Sequence, residues 1–345
     1  EEKDIIQEFI IAKWYNNKEG AMTLSFDDGT MTQFENAVSI MEKYGIKATF
    51  ALVTDWTKDV PSSSAEKGNF SVEKFGWKQA NELLAKGNEI ASHNQFHVKM
   101  DTLSDEEMIM QMRESRIIAE KNLNSKVYTF VFPYSATRNN IFTLPAEAGY
   151  IFARTGEESV NQSDNVNLEK LTTLAIYSED VPNLNEINKY ITDAKGKWLI
   201  LNYHNIFPKD SKEMSLLKYH NVTATYSVTP ETFKKQVRLI RNSDYWVAPI
   251  NVVGRYVKER EVSVLEFTNH DNKIILKVKN DLDTAVYNIP ITVMFTTDWK
   301  IVKVINSADD GIYNPRNNIV LLNLYPNREV ILEDLSDRKK DKGEN

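Results

Sequence analysis

The segment Ser25-Phe26-Asp27-Asp28-Gly29 places two adjacent carboxylates at the end of an apolar run, Ala21-Met22-Thr23-Leu24. Neighbouring side chains in a turn project in different directions, so Asp28 can bind a cation while Asp27 reaches a water on that cation as a general base. Two imidazoles follow in Ser92-His93-Asn94-Gln95-Phe96-His97. With Asp28 they form an Asp/His/His set that leaves positions open for water and substrate, as a catalytic metal site requires and a structural one does not. Metal-assisted hydrolysis of a carbonyl suits these residues. His93 and His97 share the spacing of the zinc-peptidase helix motif, but Asn94 cannot act as base, and Gly87-Asn88-Glu89-Ile90-Ala91-Ser92 reads as a turn and a strand. Asp27 is the available base.

Those side chains need a scaffold that brings distant segments together. From Met22 to Pro249 short β-like runs alternate with helical patterns, which implies a parallel α/β arrangement. The expected strands are Met22-Phe26, Ala48-Val53, Glu89-Ser92, Tyr128-Phe132, Ile151-Ala153, Trp198-Tyr203 and Trp246-Pro249. Thr32 with Glu35 and Ser104 with Glu107 have the spacing of capping boxes, and Thr229-Pro230 has an N-cap followed by an N1 proline. Asp27, His93, Tyr134 and His204 all fall at or just beyond the C-terminal ends of expected strands, where parallel barrels carry their chemistry.

Past about Glu261 helical periodicity stops, and strand-like runs recur between turn-rich spacers such as Asp309-Asp310-Gly311. A small β-sandwich over 261–335 is expected there, after a catalytic domain over 1–260. The charged stretch 336–345 carries no apolar residue and is expected to be disordered.

Composition narrows the function classes. The 345 residues contain no cysteine, so a metal must be held by histidine and carboxylate, and no disulfide framework exists. A net charge of -7 without a Lys/Arg stripe argues against a nucleic-acid partner. No apolar run approaches the length of a membrane span. The chain starts at Glu1 with no signal pattern, and a targeting segment removed or omitted from this sequence, consistent with export, is the expectation.

Four pieces in order, Ser25-Phe26-Asp27-Asp28-Gly29, His93 with His97, Phe132-Pro133-Tyr134 and Leu201-Asn202-Tyr203-His204, resemble the NodB-homology polysaccharide deacetylases, carbohydrate esterase family four. The resemblance runs from the N-terminus to roughly Arg260, the usual scale of one domain. It implies a distorted (β/α) barrel and removal of N-acetyl or O-acetyl groups from a glycan. It also implies Asp27 as base and Asp28, His93 and His97 as ligands to a divalent metal, with Zn²⁺ expected and Co²⁺ or Ni²⁺ as alternatives. The backbone N–H of Tyr134 would serve the oxyanion, and His204 would be the general acid. Pro133, Tyr134 and Tyr203 are the expected substrate contacts, Tyr203 through stacking on a sugar ring.

The chain also departs from the family pattern. The arginine that precedes Pro-Tyr in the family is replaced here by Val131, and Arg154 at the end of the next expected strand is the substitute proposed to brace Asp27. No Asp-Trp motif precedes His204, which leaves Asp180 as a weak candidate partner. The missing arginine and the attached sandwich motivate a rival reading, a non-catalytic carbohydrate-binding or surface-assembly protein on a deacetylase scaffold.

Overall fold

The computed structural model describes residues 6–59, 62–65, 71–135, 141–178, 182–212 and 226–336. Asp180 and most of the charged C-terminal stretch lie outside them. The chain divides into two compact units, one of residues Gly20–Asn251 and one of Glu1–Glu19 with Val252–Asn345.

The first unit is a parallel barrel. Its strands are β1 (Gly20–Asp27), β2 (Thr49–Leu52), β3 (Glu89–Ser92), β4 (Thr129–Val131), β5 (Phe152–Glu158), β6 (Leu171–Ala175) and β7 (Trp198–Tyr203). They pair in that order, and β7 pairs with β1, from Trp198 opposite Ala21 to Tyr203 opposite Phe26, which closes the ring. β8 (Tyr245–Val247) pairs alongside Gly20–Met22 of β1 outside the ring. It answers to the strand expected at Trp246–Pro249. β6 was not among the expected strands, because its sequence Leu-Thr-Thr-Leu-Ala lacks the continuous apolar run by which a strand buried on both faces is read.

Period-two alternation divides each strand between two environments. Met22, Leu24 and Phe26 point outward into the main core with Phe50, Ile90, Phe130, Ala153, Leu199, Leu201 and Tyr203, against the surrounding helices. The opposite parity faces the lumen, where Ala51, Ala91 and Val131 form a small separate cluster. Below them the buried Glu89 accepts from the hydroxyls of Thr49 and Thr129 and from the N–H of Asn251.

Helix starts follow local chemistry in part. Ser104 Oγ accepts from the Glu107 N–H, and the Glu107 carboxylate accepts from the Ser104 N–H, opening the helix Asp105–Leu123. Thr229 caps Pro230–Asn242 through the Thr232 N–H. Thr32 does not cap. It is itself helical, and its hydroxyl is drawn to Thr30 and to the N–H of Ile206.

The second unit holds two antiparallel sheets. Val264–His270, Lys273–Lys279, Glu329–Asp334, Val302–Ile305 and Gly311–Tyr313 form one in that order. In the other, Ile291–Thr297 lies between Ile319–Leu324 and the N-terminal strand Ile6–Ile11. The expected first domain, 1–260, thus includes a strand that pairs with residues far downstream.

Candidate active site

The chain turns sharply at the end of β1. Asp28 (φ 75) and Gly29 (φ 60) both sit in the left-handed region, which aspartate tolerates and glycine adopts freely. A Cβ on Gly29 would meet Leu52 Cδ2 at 2.8 Å. The turn separates the two carboxylates. Asp27 keeps the inward parity of Thr23 and Ser25, and Asp28 faces the two histidines.

Asp28 Oδ1 lies 3.5 Å from His93 Nε2 and 3.3 Å from His97 Nε2. His93 directly follows β3. His97 is brought back beside it by an irregular turn in which the Asn94 amide donates to the Phe96 carbonyl and to Gln111. Among the described residues these three form the cluster with metal-ligand geometry, donor atoms within 4.8 Å of one another. The set fits a divalent cation: Asp28 Oδ1 is buried and, among the described residues, has no hydrogen-bond partner. His93 Nδ1 lies 2.9 Å from the Val131 carbonyl, so that nitrogen carries the proton and Nε2 is free to ligate. Desolvation pushes His97 down to about 4 and lowers His93 as well, which keeps both rings neutral near pH 7.

Asp27 is buried, and Arg154 Nη2 donates to its Oδ1 and Oδ2 at 2.6 and 2.5 Å. Burial by itself would raise the Asp27 carboxyl. The Arg154 guanidinium more than offsets this and holds it below the ordinary carboxylate value. Arg154 ends no surface strand: it is among the largest fully buried side chains of the molecule. His204 Nε2 stands 3.9 Å from Asp27 Oδ2. Tyr134 occupies a left-handed turn (φ 57), is 58% exposed, and packs its ring 4.3 Å from that of His97. Asp27, Asp28, His93, His97, Tyr134, Arg154 and His204 therefore converge on one end of the barrel.

The polysaccharide deacetylase family profile matches residues 15–153, which span β1 to the start of β5 and include both aspartates and both histidines. This region belongs to the polysaccharide deacetylase family. The polysaccharide deacetylase fold extends beyond the matched stretch. A Mycobacterium smegmatis structure named as a polysaccharide deacetylase superposes over 77% of this chain and 99% of its own, with a TM-score of 0.51 at 12% identity. A gellan lyase from a Bacillus species is 23% identical over 310 residues, 84% of this chain and 11% of that protein. The Bacillus subtilis protein YxkH, named for a polysaccharide deacetylase, is 25% identical over 148 residues, 42% of this chain and 48% of its own. The chain thus spans about a tenth and about half of the lengths of these two curated relatives.

Two expected substrate contacts are not at the surface of the site. Tyr203 is 1% exposed, stacks on Phe26 and meets Phe233 edge to face, because its parity on β7 is that of Leu201 and points it into the outer core. Pro133 is buried.

Three residues not singled out in the sequence belong to the site. Asn202, two positions before His204 and hence on its face of the strand, donates to Asp27 Oδ2 at 3.1 Å. The buried Gln33 amide donates to the backbone carbonyls of both Asp27 and His204, at 2.5 and 2.6 Å. The buried Lys74 ammonium lies 4.5 Å from the Trp56 ring centroid. Against the effect of burial, it is the leading charge that keeps Asp28 well below the carboxylate range. Period-two reading from His204 finds Asn202. No local signal marks the other two.

Proposed function

We propose that this chain is a metal-dependent hydrolase that removes acetyl groups, N-linked or O-linked, from a glycan. The observation that carries the reading is the buried Arg154–Asp27 pair set beside the Asp28, His93 and His97 cluster. These three residues would hold one divalent cation, with zinc expected and cobalt or nickel as alternatives. Such an ion supplies Lewis acidity to a carbonyl oxygen and to a water.

The chain's own groups account for the proton movements. Among the described residues Asp27 Oδ2 accepts from both Arg154 and Asn202, whereas Oδ1 accepts from Arg154, so Oδ1 is the oxygen better placed to take the water's proton. Ionised by its guanidinium partner, Asp27 is ready to act as base. The new C–O bond forms as negative charge develops on the carbonyl oxygen, and the Tyr134 N–H is the proposed donor to it. His204 gives a proton to the leaving nitrogen or oxygen as its bond to the acyl carbon breaks.

The rival reading of a decayed scaffold arose in part from Val131, and the guanidinium that Arg154 brings to Asp27 answers that part. Acetylated glycans are largely extracellular polymers, so export forms part of the proposal. The test is acetate release from a panel of acetylated chitooligosaccharides, xylan and peptidoglycan fragments, alongside metal stoichiometry. Asp27→Asn should retain the metal and lose about 10² to 10⁴ in kcat, because an amide cannot accept the proton. A fully metal-loaded wild type that releases no acetate from any member of the panel rejects the activity.

A further inference from the structure

The His204 side of the site carries two tyrosines to which the proposed chemistry gives no role. Tyr226 sets its ring 4.7 Å from His204 and 5.3 Å from Tyr177, tilted by 43° and 46°. With rings on two sides it is still 37% exposed, whereas the aromatic cluster of Tyr203, Phe26 and Phe233 is buried. Its backbone is left-handed (φ 42), an unfavourable state for a bulky residue, and its carbonyl accepts from the Asn205 N–H at 2.9 Å. The Tyr177 hydroxyl donates to the Glu158 carboxylate. The bracing orients an open aromatic surface beside the imidazole. On the far side of Asp27, the cluster of Trp56, His97 and Tyr134 belongs to the metal-ligand side.

We propose that Tyr226, braced by Tyr177, is a binding platform for the neutral sugar ring that bears the leaving nitrogen or oxygen. The inference rests on the deacetylase reading for the identity of that ring. An atom that takes a proton from His204 must lie within hydrogen-bond reach of its Nε2, so the ring carrying that atom lies against whatever flanks the imidazole. Tyr226 flanks it. A pyranose presents a C–H face that packs on an aromatic ring, and a tyrosine at a wet surface combines apolar area with a hydroxyl that stays solvated. The Glu158 carboxylate next to Tyr177 selects against an acidic sugar at this position.

Binding can be measured without turnover, on the full chain with metal removed by chelation, by NMR titration with tetra-N-acetylchitotetraose and with tetragalacturonate. The expected result is saturable binding of the chitotetraose and at least tenfold weaker binding of the galacturonate. Tyr226→Ala should weaken chitotetraose binding roughly 3- to 12-fold, Tyr177→Ala less, and Tyr226→Phe by less than about twofold. Trifluoroethyl acetate, an activated ester with no ring, should be hydrolysed by wild type and Tyr226→Ala at rates within about threefold. Unchanged chitotetraose affinity in Tyr226→Ala overturns the platform, as does a wild type that binds neither oligosaccharide. A wild type that binds chitotetraose through Tyr226 but hydrolyses no acetyl compound leaves the platform standing and overturns the deacetylase reading instead.

Discussion

Val131 and Arg154 are register partners on the adjacent parallel strands β4 and β5, and the guanidinium absent from position 131 reaches Asp27 from position 154. Register partners in a parallel pair point to the same face at the same depth. A charge moved one strand round the ring can therefore serve the same carboxylate.

Arg154→Ala should raise the Asp27 pKa, which moves the acidic limb of the kcat/KM profile to higher pH while metal content stays unchanged. Stranding a buried carboxylate should also cost about 3–5 kcal/mol in urea unfolding. The sign of the wild-type linkage follows from the lowered folded pKa. The pair's contribution is complete above the unfolded value near about 3.9 and is lost as pH falls through the lower folded value. Adding Val131→Arg to Arg154→Ala should recover part of the rate. An acidic limb that does not move in Arg154→Ala would falsify the bracing role.

His93→Ala with His97→Ala should abolish metal binding without unfolding the chain, as read by metal analysis and far-UV circular dichroism. Full metal retention in that double variant sinks the site. For the metal-free wild type, His97 depressed to about 4 stabilises the fold fully above the unfolded histidine value near about 6.5 and loses that contribution as pH falls towards about 4. His97→Gln should flatten the pH dependence of stability in that window.

His204→Ala should cost about 10² to 10⁴ in kcat on an N-acetyl sugar and less than about tenfold on trifluoroethyl acetate, whose leaving group needs little protonation. Equal losses on the two substrates would mean that His204 is not the acid.

Gln33 ties the strand ends that carry the base and the acid through one amide. Gln33→Leu leaves the buried Asp27 carbonyl and the partly buried His204 carbonyl without that donor, at about 1–3 kcal/mol for the buried one. Misplacement of Asp27 relative to His204 should lower kcat by up to roughly 10²-fold with KM and metal content little changed. A variant that is destabilised yet keeps wild-type kcat at low temperature would limit Gln33 to a structural role.

Much of the site was legible along the chain because its residues come in short runs at strand ends. Asp27-Asp28-Gly29 needs only a turn to separate its carboxylates, and His93 and His97 need only a short irregular loop. Arg154 was legible as the next inward position available once Val131 was seen to lack a charge. The Ser104 box formed because both partners lie within one helical turn, whereas Thr32 lost its cap to Thr30 and Ile206, a tertiary competition that local spacing does not record. Tyr203 was misjudged because adjacency to His204 was weighed above parity, and in a strand the neighbour of an inward residue points outward. The place of Leu171–Ala175 in the ring, the pairing of Ile6–Ile11 with Ile291–Thr297, and the convergence of Gln33 on the Asp27 and His204 backbone carbonyls and of Lys74 on the charge of Asp28 were decided by the tertiary structure alone. Those contacts join segments that no local propensity links. Which strand edge or buried donor finds which partner is settled only when burial leaves no water to satisfy the backbone and the charges.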